Sequence, residues 1–230
     1  MASSSGTYGF SLSNGEAILV AFDSIGIEPA AIIQNHMWTA RNQLNLLLSR
    51  WSNLQVNLWT VVLNSIPMVD DVPTYPIPPQ TIMVLDAYIT TNSGSGSAID
   101  RYISPISRNE YASQSNKLTP GPPTTYWFDR LINPTITMWP VPDANGPYTL
   151  SYYSCVQIQD ANIAGAETPD VPYRWLEALV TGLAARLARK YAPEMLEDAK
   201  ADAKEAWLIA ATQDTENVNM SISFDMSAYR

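Results

Sequence analysis

The chain has 230 residues, 46% of them hydrophobic, with 22 acidic against 13 basic side chains and a formal net charge of −9. Such a chain can bury a core for one large domain or two modest ones, and its acidic balance opposes a grip on nucleic acid through the phosphates, though not a surface past which nucleic acid slides. No apolar run approaches the ~20 residues that cross a bilayer, the opening MASSSGTYGF lacks the pattern of a secretory signal, and the single cysteine, Cys155, excludes an intramolecular disulfide framework, so a soluble globular protein with no membrane association is expected.

In chain order, Ser13 and Glu16 form a capping box before the apolar run Ala17 to Phe22, which predicts a short helix from Asn14 stopped by Gly26. Pro29 then opens a second, long helix, in which Ile33, Met37, Ala40, Leu44, Leu47 or Leu48, and Trp51 keep a helical step. From Leu54 the period changes. Val56, Leu58 and Val62 stand among polar residues, and further strand candidates are Ile82 to Thr91, Ile99 to Ser104, Thr125 to Arg130, Thr135 to Val141 and Tyr148 to Ile158. The spacers DDVPTYPIPP, TNSGSGS, LTPGPP and PDANGP are turn chemistry, and Asn92 to Ala98 reads as a mobile hairpin tip or a loop ordered by a neighbour.

The stretch Pro169 to Thr212 reads as an αα-hairpin. Asp170 caps its first helix and Pro172 takes the first helical position, while Leu176, Leu179, Val180, Leu183 and Leu187 line one face. Arg186, Arg189 and Lys190 oppose the negative end of the helix dipole. Pro193 restarts the chain as a second helix with an inner face of Leu196, Ala199, Ala203, Ala206, Trp207 and Ala210, whose small residues admit a close partner helix of the same or an adjacent subunit. The fold class is therefore α+β: a helical bundle from N- and C-terminal helices (residues 1–53 and 166–213), an inserted antiparallel β-sandwich or barrel (54–165), and an extended tail (214–230).

Catalytic groups are sparse. The only histidine, His36, has no partner at metal-ligand spacing, and there is no nucleophile elbow, P-loop or dinucleotide fingerprint, so no cofactor, no metal and no enzymatic activity are expected. Glu194 with Asp198 is the one carboxylate pair worth weighing for a wall hydrolase, yet the two sit on a charged helix face. The aromatics Tyr126, Trp127, Trp139 and Tyr152 raise a second rival, a fibre or receptor-binding module, although such residues ordinarily fill a sandwich core.

The segments ARNQLNLLLSRWSNLQVNLWT (40–60), ISPISRNEYASQSNKLTPGPPTTYWFD (103–129), ITMWPVPDANGPYTLSYY (136–153) and PDVPYRWLEALVTGLAARLARKYAP (169–193) occur here in an order that resembles bacteriophage head-to-tail adaptor proteins, the connector or tail-tube proteins of short-tailed phages. The resemblance runs from about Ile18 to about Ala211. It implies a virion protein at the head-tail junction: a homo-oligomeric ring, dodecameric like the portal protein above it, that receives the tail nozzle or tail fibres and lets packaged DNA pass without specific binding. The helices would line the ring and the β-rich part project outward. Ala199, Ala203, Ala206, Ala210 and Trp207 become subunit-packing residues, and Glu194, Asp198 and Asp202 become channel-lining residues that repel phosphate. In the tail, Val218, Met220, Ile222, Phe224 and Met226 stand at alternate positions, a strand pattern with one apolar face. Such a strand must add to a sheet, its own or a neighbour's. The resemblance points to the portal as acceptor, with Ile222 and Phe224 as anchors.

Overall fold

The computed structural model describes residues 6, 8–54, 57–163 and 165–215, an α+β chain of five α-helices and one seven-stranded sheet. Helix α1 (Asn14–Asp23) starts where the capping box requires. The Ser13 hydroxyl accepts from the Glu16 N–H (3.2 Å), and the Glu16 carboxylate accepts from the Ser13 N–H (2.8 Å), which holds that carboxyl below its ordinary pKa. Gly26, at φ +81°, ends the segment in the left-handed conformation that glycine adopts without strain. Pro29 opens only a 3₁₀ turn (Pro29–Ala31). Ile32 after it is extended, so α2 begins later, at Gln34, and runs to Leu54, leaving Ile33 exposed outside it.

Helices α4 (Leu176–Tyr191) and α5 (Leu196–Gln213) form the expected hairpin. Its first turn differs in detail: Pro172 caps a 3₁₀ turn (Tyr173–Trp175), and Asp170 does not cap it. The Asp170 carboxylate instead accepts from the Gln159 N–H (3.0 Å) while its carbonyl accepts from Trp59 Nε1 (3.2 Å). One apolar cluster takes Ala17, Ala21 and Phe22 from α1, Ala40, Leu44, Leu48 and Trp51 from α2, Leu179, Leu183 and Leu187 from α4, and Ala206 and Ala210 from α5. Each large side chain buried there stabilises the fold by about 1.5–3 kcal/mol before entropy is set against it. At its end lies fully buried Trp175, its ring centroid 5.1 Å from Trp51, 5.0 Å from Trp59 and 6.5 Å from Trp207.

Between α2 and α4 lie β1 (Val61–Pro67), β2 (Thr74–Pro76), β3 (Thr81–Thr91), β4 (Ile99–Pro105), helix α3 (Arg108–Ser113), β5 (Thr125–Asp129), β6 (Thr135–Trp139) and β7 (Tyr148–Val156). They build a single curled sheet in the order β1-β7-β3-β4-β5-β6-β2, which stands where two packed sheets or a barrel were expected. Its concave side holds a second core that includes Ala87, Ile89, Ile103, Tyr126, Met138 and Leu150. Among the paired strands β4 and β5 run parallel, because the connection through α3 returns the chain in the same direction, and a parallel bridge joins Pro120 to Val141. Asn92 to Ala98 is the tip of the β3–β4 hairpin, turned by Asn92 (φ 54°) and Gly94 (φ 82°). Among the described residues no helix is long and apolar enough to cross a membrane.

Candidate assembly interface

Among the described residues helix α5 packs chiefly on α4. Its residues divide by the 3.6-residue repeat into three faces. Ala206 and Ala210 are buried against α4 with Ala199 and Trp207 half-buried beside them, so the alanine face is filled by a helix of the same chain. Ala203 belongs to a different face. With Lys200, Lys204 and Trp207 it borders a groove of about 450 Å³ between α2, α4 and α5, closed on the far side by Arg50, Arg186 and Arg189 and floored by Leu47 and Trp51.

The cations of this groove come from three separate helices. Arg186 reaches toward α2, its guanidinium donating to Gln43 Oε1 and to the Leu46 carbonyl, both at 3.4 Å. Burial holds its pKa below the usual arginine value, and the positive charges of Arg50 and Arg189 push in the same direction. Lys200 pairs with Glu197 at 2.7 Å; among the described residues the other four groove cations form no ion pair. The third face of α5 carries Asp198, Asp202 and Glu205, all exposed, together with half-exposed Ile209, while half-exposed Leu208 lies one turn beyond Lys204. Glu194 is exposed in the 3₁₀ turn (Pro193–Met195) just before the helix.

Other residues singled out by the sequence have packing or joining roles. His36 stacks its ring edge-on to Tyr191 at 4.9 Å and lies 5.9 Å from Phe22. The Cys155 thiol is buried 3.1 Å from the Thr60 hydroxyl. Tyr126 and Tyr152 are core residues of the sheet, whereas Trp127 stacks outside it on Tyr111 of α3 (5.4 Å) and Trp139 Nε1 donates to the Asn116 carbonyl (3.1 Å). Thus two of the four aromatics fill the core and two fasten α3 and its following loop. Glu194 is exposed in the turn before α5 and Asp198 is exposed on the first turn of the helix. Val218, Met220, Ile222, Phe224 and Met226 lie outside the described residues.

A family model described as the SU10 adaptor protein matches residues 27–221, from the approach to α2 through the sheet and both helices of the hairpin. The chain belongs to the SU10 adaptor family. No curated protein matches it. Membership in the SU10 adaptor family, a family of phage adaptor proteins, makes this a structural phage protein and gives the surfaces of α5 their interest, since an adaptor works through the faces it offers to neighbours. For this SU10 adaptor the basic groove is the feature that sequence reasoning missed. The three-residue spacing of Arg186 and Arg189, like the four-residue spacing of Lys200 and Lys204, puts each pair on one face and is the local signal of the groove.

Proposed function

We propose that the chain forms a homo-oligomeric ring, dodecameric, between the portal protein and the tail nozzle or fibres of a short-tailed phage, with packaged DNA passing through its lumen. The family match over residues 27–221 carries this reading. The shared core of α1, α2, α4 and α5 supports it by giving a helical body from which a ring wall can be built, while the curled sheet is free to face outward. In this reading the apolar alternation of Val218, Met220, Ile222, Phe224 and Met226 adds a strand to the portal, with Ile222 and Phe224 as anchors.

The carboxylates Glu194, Asp198 and Asp202 have two possible uses in such a ring, a lumen that repels phosphate or a contact with the next subunit. Ile209, 53% exposed on the same side of α5, favours the contact for Asp198 and Asp202, because a wall facing DNA gives an apolar side chain nothing to cover it. Glu194, outside that helix face, is retained as the lumen residue. Incubating the purified protein with tailless, DNA-filled heads and weighing the complex tests the proposal. Uptake of a fixed multiple of the chain mass, with DNA retained, is expected; heads that take up no protein would refute it.

A further inference from the structure

We infer that the groove between α2, α4 and α5 receives the acidic face of α5 from a second copy of this chain. The inference rests on the ring reading above and identifies the contact that closes the ring.

Charge distribution is the first argument. Of 13 basic residues in a chain of net charge −9, five line this one groove, and among the described residues no carboxylate lines it, Glu197 reaching only Lys200 at its edge. So dense a cluster on an acidic protein is not a solvated background; three guanidinium groups held beside one another repel until an anion enters. The floor is apolar, with Leu47, Trp51 and Trp207, so the occupant must bring carboxylates at its edges and apolar atoms at its centre. That is the chemistry of an acidic amphipathic helix lying in a groove.

The second argument is that α5 itself has such a face. Asp198, Asp202 and Glu205 recur at four- and three-residue steps and Ile209 continues the surface. Relative to Lys200 and Lys204, Asp198 and Asp202 are two residues out of step, about 200° around the helix, and Glu205 flanks them, about 100° from Lys204. Groove and acidic face therefore lie on opposite sides of one rigid helix, and the face cannot fold into its own groove. A second copy can supply it. The contact is heterologous, each copy giving its acidic face to one neighbour and its groove to the other, and this is the arrangement that generates rings.

Charge reversal by halves tests the contact. Lys200→Glu/Lys204→Glu removes most of the groove's positive charge and sets two carboxylates on its α5 wall beside the remaining arginines, and Asp198→Lys/Asp202→Lys makes the helix face basic; circular dichroism and thermal unfolding first establish that each variant folds like the parent. Each variant alone should lose the oligomer on portal-bearing heads. An equimolar mixture should regain it, because the glutamates introduced on the groove wall of one variant pair with the lysines introduced on the face of the other, while the unchanged groove and the unchanged face still fit each other. Parent-like rings from either variant alone would overturn the inference while leaving the ring reading intact, and failure of the parent chain itself to oligomerise on heads would overturn both. Rings that persist in Lys200→Glu/Lys204→Glu while binding to a short DNA duplex is lost would assign the groove to a phosphate backbone instead. A mixture that stays monomeric would also reject the inference.

Discussion

Asp214 and Arg174 form an ion pair that joins the end of α5 to the turn preceding α4, and the second carboxylate oxygen of Asp214 accepts from the Leu58 N–H at 3.2 Å. One buried side chain thus holds together the last helix, the start of the hairpin and the link into the sheet. The Arg174 guanidinium also lies 6.0 Å from the Trp59 ring, within the tryptophan cluster around Trp175. Removing the carboxylate leaves the Leu58 donor and a partly buried guanidinium without their acceptor. Asp214→Ala is expected to cost about 2–3 kcal/mol, read as a lower midpoint of urea unfolding at unchanged slope. A change within 0.5 kcal/mol, the ordinary scale of surface substitutions, would show that the pair is dispensable.

Alkaline stability follows from the sheet. Burial pushes the Tyr126 phenol up to about 12, with the charges of Tyr102 and Asp86 adding to the effect, and Tyr148 is pushed to about 12 by burial and by its hydrogen bond to Asp143. The folded values exceed the ordinary value of about 10, so the stability they contribute is complete below pH ~10 and is lost as pH rises toward the folded values. The Tyr126 hydroxyl has no hydrogen-bond partner among the described residues. Tyr126→Phe should therefore leave stability at pH 8 unchanged or raise it by up to ~1 kcal/mol, and should move alkaline unfolding to higher pH. Denaturant titrations at pH 8 and pH 11 check both halves.

The alanines of α5 separate folding from assembly. Ala206 is buried against α4, so Ala206→Glu places a carboxylate in an apolar contact and should cost ~3 kcal/mol or more, abolishing folding or lowering the thermal midpoint sharply. Ala203 borders the basic groove between Lys200 and Lys204. Ala203→Glu should fold like the parent and lose oligomer, because its carboxylate neutralises and fills the site. Equal loss of stability in the two variants would place Ala203 in the core.

Local signals were legible in the sequence and non-local ones were not. The Ser13/Glu16 box locates α1 to the residue, whereas the same box at Ser107/Glu110, with both reciprocal bonds formed, opens a six-residue helix that buries none of its residues and so shows no apolar period. Strand β2 hid within DDVPTYPIPP: it exists through pairing with β6, including a 3.0 Å contact between the Thr74 and Thr137 hydroxyls, and three residues among prolines announce no strand alone. The parallel β4–β5 pair depends on the path of the chain through α3. The groove escaped for a similar reason, since Arg50, Arg186 and Lys200 meet only after α2, α4 and α5 have packed.

The terminal residues give a prediction independent of the groove. Truncation before Asn217 should leave a folded, soluble chain that no longer joins DNA-filled heads, measured by co-sedimentation with purified heads. Loss of folding would assign the alternating strand to its own subunit, and unchanged attachment would make it dispensable.

The central claim is the ring between portal and tail, and a localised electron-microscopy reconstruction of the particle neck tests it most directly. The account predicts twelve copies in one layer immediately below the portal, with the acidic face of α5 in each copy set into the groove of the next. Copies located only at fibres or elsewhere in the particle, or no closed ring at the portal, would contradict it.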